Sequence, residues 1–149
     1  MRRFIASVAS FLLASVVLSA QEVCGLDLGT RYSYSSIVEN FGEPLSKSGD
    51  TWTTYQDLTY DGLQLCFDGG EFWKCIITGD SYVVFEDLIA GGVRVGDDVA
   101  KVAKARKAAP KKASDGRYLL FQNSDWMNAE VEYDSGANTI TSIKVYMPY

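Results

Sequence analysis

The chain has 149 residues, of which 47% are hydrophobic and 13% aromatic, with a formal net charge of −5 and no histidine. That length allows one ordinary domain or two small units sharing a sheet. The acidic balance argues against a general nucleic-acid binder, and the absence of imidazole excludes Ser-His and Cys-His nucleophilic sites and His-ligated metals.

Arg2 and Arg3 precede an apolar run from Phe4 to Leu18 that ends in the small pair Ser19-Ala20. A positive start, an apolar stretch and small residues behind it predict a secretory signal peptide over residues 1–20, hence export to the periplasm or beyond the cell. Two of the 14 basic residues lie in that leader, so the remainder carries 19 acids against 12 bases, a net of −7. Export would place Cys24, Cys66 and Cys75 where disulfides persist. An odd count leaves at least one thiol over. Cys66 and Cys75 flank the hairpin-like Phe67-Asp68-Gly69-Gly70-Glu71-Phe72. A Cys66–Cys75 cross-strand bridge is therefore the first expectation, and a bond from Cys24 to either of them is the alternative.

The first element after the leader is a short helix from Ser33 to Phe41. Ser35 or Ser36 can cap its first turn, and Ser36 with Glu39 has capping-box spacing. Ile37 and Phe41 share one face, and Gly42 and Pro44 stop the helix. Strand-like runs follow. Trp52 and Tyr55 sit among threonines, Leu63, Leu65 and Phe67 alternate with Gln64 and Cys66, Phe72 to Thr78 forms a third run, and Tyr82 to Phe85 is nearly continuously apolar. The pattern then restarts. Asp97 or Asp98 can cap a second helix running towards Pro110, with Val99 and Ala103 spaced as Ile37 and Phe41 are. Tyr118 to Phe121, Ala129-Val131-Tyr133 and Ile140 to Tyr146 repeat the strand order. These offsets predict an α+β fold with two tandem helix-plus-antiparallel-sheet units, residues 21–86 and 87–149. The units would join through a strand such as Tyr82 to Phe85 into one continuous sheet with the helices on one face.

The capped helix with its Phe41-Gly42-Glu43-Pro44 stop, the aromatic strand and the leucine-alternating strand resemble the SmpA/OmlA (BamE-like) small outer-membrane lipoprotein domain. The duplication looks like the β-lactamase inhibitory protein family. The resemblance implies an α+β fold and a protein-binding role. The second unit departs from the pattern, with Lys104-Ala105 where the stop would fall and no cysteine.

Little catalytic chemistry is legible. No Ser-x-x-Lys or Gly-x-Ser-x-Gly occurs, the Asp97-Asp98 pair reads as a helix cap, and the cysteine spacing fits neither a redox pair nor zinc. No enzyme, cofactor or metal is expected. Two binding features remain. Trp52, Tyr55, Trp73 and Trp126 would supply large rigid contacts on an open sheet face. Lys101, Lys104, Lys107 and Lys111, with Arg106 and Lys112, form a basic patch suited to an anionic partner. The expected function is an exported, non-catalytic module that binds a protein or cell-envelope component, with an enzyme inhibitor as its narrower form. The alternative is an envelope assembly scaffold docking through the basic helix.

Overall fold

The computed structural model describes residues 22–121 and 127–148. The expected leader and Trp126 lie outside the described residues. The chain opens with a small hairpin, β1 (Glu22–Val23) and β2 (Leu26–Asp27). Helix α1 follows at Tyr34–Phe41. Its cap is Ser33, in extended conformation, whose Oγ accepts from the Ser36 amide at 3.2 Å. Ser36 serves differently from expectation, since its hydroxyl donates to the Ser33 carbonyl at 2.8 Å. Gly42 ends the helix with φ 81°, and its amide donates to the Val38 carbonyl at 2.8 Å.

Eight strands form one antiparallel sheet. In chain order they are β3 (Ser46–Gly49), β4 (Tyr55–Tyr60), β5 (Leu63–Asp68), β6 (Glu71–Ile77), β7 (Lys111–Lys112), β8 (Tyr118–Leu120), β9 (Asn128–Asp134) and β10 (Thr139–Tyr146). Their spatial order is β3-β4-β5-β6-β10-β9-β8-β7. Two meanders therefore meet at the centre, where Ile77 pairs with Ile143 and Cys75 with Val145. The outermost strands are short, and all four residues of β3 are exposed. Lys47, Lys111 and Lys112 lie on them, a composition that discourages pairing with another chain.

Alternation along the strands assigns the two faces. Leu58, Leu63, Leu65, Phe67, Cys75, Ile77, Val131, Ile143 and Val145 point inward into one buried cluster, which also takes in Val23, Leu26, Ile37 and Val102 from outside the sheet. Trp52 lies between helix and sheet, with its ring centroid 5.5 Å from that of Tyr34 and 4.5 Å from that of Phe67.

The expected α+β architecture of two helix-plus-sheet units is corrected by this arrangement. Among the described residues the fold is mostly β, a single large sheet with two α-helices, the second being the four-residue α2 (Ala100–Ala103). The buried residues of that segment, Val99, Val102, Ala105 and Ala108, recur every third position. An α-helix would rotate such a stripe off the sheet. The chain instead turns extended at Ala105 and resumes as a 3₁₀ turn over Arg106–Ala108. The expected joining strand is likewise absent. Val84 makes a lone bridge to Val93, and Phe85 turns left-handed at φ 60°, so β6 and β10 provide the junction instead.

Gly62 holds the β4–β5 turn against the loop after β6. Its φ is 70°, its carbonyl accepts from the Thr78 and Gly79 amides at 2.9 and 3.0 Å, and a Cβ there would stand 2.6 Å from the Gly79 Cα. Both the left-handed backbone and the collision oppose a side chain. Gly62→Ala is expected to cost about 2–3 kcal/mol in denaturant unfolding. A cost near zero would mean that the two turns do not abut in solution.

Candidate functional site

The outer face of the sheet carries the residues out of phase with the core. Opposite pairs there include Asp57 with Cys66, Cys66 with Lys74, Lys74 with Tyr146, and Glu130 with Lys144. A register shift between Cys66 and Phe67 sets Trp73 in a bulge of β6. The Trp73 ring centroid lies 6.2 Å from that of Tyr55, and the Lys74 Nζ sits 4.4 Å above the Trp73 ring. Tyr55, Trp73, Ile76, Leu119 and Tyr146 are all half-buried, yet they stand apart from the core cluster. They make a second apolar surface, backed by the sheet.

Beside these aromatics runs an ionic chain. The Arg117 guanidinium donates from Nε to Asp115 and from Nη1 to Glu130, each at 2.6 Å. Lys144 Nζ is 3.7 Å from the same Glu130 carboxylate, and the Tyr146 hydroxyl donates to its other oxygen at 3.2 Å. The guanidinium is held above its ordinary range by Asp115, then by the charge of Glu130. The Asp115 carboxyl is held below its own by hydrogen bonds from Arg117. Burial first, then the Glu130 charge, raises the Tyr146 hydroxyl. Glu130 thus fixes three side chains of the outer face and presents little free charge.

The cysteines depart from expectation. Cys75 pairs with Leu65 and Cys66 with Lys74, so Cys66 and Cys75 project from opposite faces. A disulfide requires the two Cβ atoms to approach within about 3.5–4.5 Å, which side chains on opposite faces of a sheet cannot do. The expected Cys66–Cys75 bridge is therefore excluded, and all three cysteines are free thiols in this structure. Cys66 is 1% exposed beneath the aromatic surface. Burial, then its hydrogen bond with Asp57, raises its pKa to about 12. At pH 8 only about one molecule in ten thousand would carry the reactive thiolate. Cys66 in the folded protein should accordingly resist iodoacetamide at pH 8 and react on unfolding. Rapid labelling of the native protein would contradict the burial.

The other expected site residues are dispersed. Trp52 is turned inward, its Nε1 donating to the Tyr32 carbonyl at 3.0 Å, so it stands on the side of the sheet opposite Tyr55 and Trp73. Trp126 lies outside the described residues. Lys101 is on α2 and pairs with Asp97 at 3.2 Å. Lys104 ends that helix, Lys107 is in the 3₁₀ turn, and Lys111 is on edge strand β7, all exposed. The basic run is thus a bent ribbon along one edge rather than one helical face. Glu130, Lys144 and Tyr146 were legible as the out-of-phase residues of alternating strands. Arg117 lies in the turn before β8, and no periodicity marks it.

No family model and no curated protein sequence matches the chain. Among solved structures it is similar to an extracellular protein containing a SCP domain from Bacillus anthracis str. Ames, with a TM-score of 0.62 and 10% identity over 85% of this chain and 46% of that one. It is also similar to a cysteine-rich secretory protein from Staphylococcus aureus subsp. aureus Mu50, with a TM-score of 0.57 and 16% identity over 85% of this chain and 45% of that one. The chain spans less than half the length of either neighbour. Such identities show a shared fold and carry no activity across. The expected kinship with the SmpA/OmlA domain and β-lactamase inhibitory protein is overturned, because the similar structures are a protein containing a SCP domain and a cysteine-rich secretory protein, and the fold is mostly sheet.

Proposed function

We propose that this chain is an exported, non-catalytic binding module that grips a protein or cell-envelope component through the outer face of its sheet, with Tyr55 and Trp73 as the anchors. The observation that carries this reading is the outer aromatic surface itself. Tyr55, Trp73 and Tyr146 lie together with Lys74 on a rigid sheet, outside the core cluster. Large aromatics with a cation alongside are the residues that dominate protein interfaces. An ordered base for them reduces the entropy lost on binding. The extracellular and secretory descriptions of both structural neighbours accord with export.

Immobilised protein is expected to retain a defined partner from the exported fraction of its source cells, and Tyr55→Ala with Trp73→Ala is expected to release it. An inhibitor acting through this face would slow an exported hydrolase in a panel of β-lactamases and proteases at micromolar protein.

A second reading, an assembly scaffold docked through the basic edge, is favoured by Lys104 and Lys107. Both are exposed, and among the described residues neither has an ion-pair partner. Lys104→Glu with Lys107→Glu separates the two readings. Binding through the sheet face should survive this reversal within about threefold, since rim charges change affinity little. Loss of retention would move the interface to the basic edge.

A further inference from the structure

The left-handed turn of the first hairpin brings a second cysteine to the core. Cys24 and Gly25 connect β1 to β2 with φ 55° and 81°. Positive φ at both central residues is the signature of the tight hairpin turns that favour Asn, Asp or Gly. A cysteine at the first of these positions is strained. Its side chain packs against the core cluster that contains Cys75, and the two thiols lie close enough for each to perturb the other's ionisation. Cys75 is 0% exposed and projects from the inner face of β6 at the centre of the sheet. Cys24 is half-buried beside a cleft of about 240 Å³ lined by Glu22, Gly25 and the Val83–Leu88 loop. One thiol is thus reachable from solvent and the other is sealed behind it.

We propose that Cys24 and Cys75 close a disulfide that fastens the β1–β2 hairpin to the buried face of β6, leaving Cys66 as the free thiol. The oxidant is a disulfide, either a small molecule or a thiol–disulfide oxidoreductase of the compartment to which the expected leader points. Cys24 loses its proton, and its thiolate attacks one sulfur of that disulfide. This breaks the S–S bond and releases the first thiol as the mixed disulfide forms. Cys75 loses its proton and attacks the Cys24 sulfur, closing the protein disulfide and releasing the second thiol. Two protein thiols are oxidised, one external disulfide is reduced to two thiols, and the protons balance. The neighbouring Cys75 thiol holds the Cys24 thiol below its ordinary range, and the exposure of Cys24 to the cleft makes it the first nucleophile.

The hairpin supplies the reason for such a link. Its strands are two residues each, and such a ribbon is marginal alone in water. Val23 and Leu26 hold it by burial, and the residues after it line the start of β6 through Gly29 to Phe72 and Tyr32 to Gly70 hydrogen bonds of 2.8 and 2.9 Å. A covalent tie to the central strand would close a loop containing α1 and β3 to β5, limiting the unfolded chain.

The test uses the full chain and 2-hydroxyethyl disulfide, whose lack of charge suits a cleft bordered by Glu22, Glu86 and Asp87. Intact mass after oxidation should fall by two hydrogens. Peptide mapping should join Cys24 to Cys75, and alkylation after unfolding should label Cys66 alone. A stable hydroxyethylthio adduct on Cys24, a linkage to Cys66, or three alkylated cysteines would each overturn the proposal. The thermal midpoint of oxidised wild type should fall when reductant is added, whereas that of Cys24→Ser should not respond. A wild-type midpoint indifferent to reductant would refute the fastening role even if the bond forms.

Discussion

Tyr55→Ala combined with Trp73→Ala is expected to weaken partner retention by roughly 30- to 1000-fold while leaving the sheet folded, if the proposed outer face is the interface. Truncating a central aromatic anchor costs about 2–4 kcal/mol of binding, and each 1.4 kcal/mol is about tenfold in affinity. The two rings are neighbours at 6.2 Å, so their losses are not additive and the pair is credited with little more than one anchor. Tyr55 also lies beside Cys66 and Asp57, and Trp73 packs on Tyr55, so removing both should cost about 1–3 kcal/mol of stability. Affinity by surface plasmon resonance and unfolding by circular dichroism are therefore read on the same preparation. Trp52→Ala is the control. That ring lies under the sheet, so the change should lower stability and leave the affinity of the folded fraction close to wild type. A folded double variant with undiminished affinity would eliminate the outer face as the interface.

Phe67→Ala is expected to be the most damaging single core change, at about 3–5 kcal/mol. Phe67 is 0% exposed and its ring centroid lies 4.5 Å from that of Trp52 and 5.6 Å from that of Phe72. Through Trp52 the ring series reaches Tyr34 on α1, so Phe67 couples the helix, the Thr51–Thr54 turn and two central strands. Tilted ring contacts add about 0.5–1.5 kcal/mol beyond burial alone. Against a typical total of about 5–15 kcal/mol, this variant would lose much of its margin. Its thermal midpoint should drop by about 10–20 °C. Phe67→Leu, which keeps most of the volume, should recover more than half of that loss. A drop of only a few degrees for alanine would show that the inner aromatic series is not the centre of the core.

The sheet's two faces were legible residue by residue. Leu63, Leu65 and Phe67 alternate with Gln64 and Cys66, and the former are buried inward while Cys66 faces outward. The expected Cys66–Cys75 bridge fails because the structural register sets Cys66 on the outer face and Cys75 on the inner one. Nine residues apart with a hairpin between them, the two cysteines looked adjacent in sequence, but the register shift at Cys66/Phe67 determines which residues of β6 lie opposite which of β5. Trp52 shows a related limit. Aromatic character predicted a contact surface, and the turn before β4 aimed the ring inward, to Phe67 and the Tyr32 carbonyl.

By itself the sequence determined the elements governed by short-range forces. Helix α1 ends at Gly42 because glycine alone takes φ 81° there without strain, and the strands of both meanders follow their apolar alternation. The lack of histidine likewise restricted the chemistry before any fold was known. Only the tertiary structure decided which strands meet, how long the second helix runs, and which cysteines share the core. β6 joins β10 across a long chain separation, Val102, Ala105 and Ala108 keep a stripe of every third residue on the sheet, and Cys24 packs on the cluster that holds Cys75 from a distant hairpin. Each of these depends on long-range packing, in which the free energy of burying apolar surface outweighs local preference, and no window of neighbouring residues contains it.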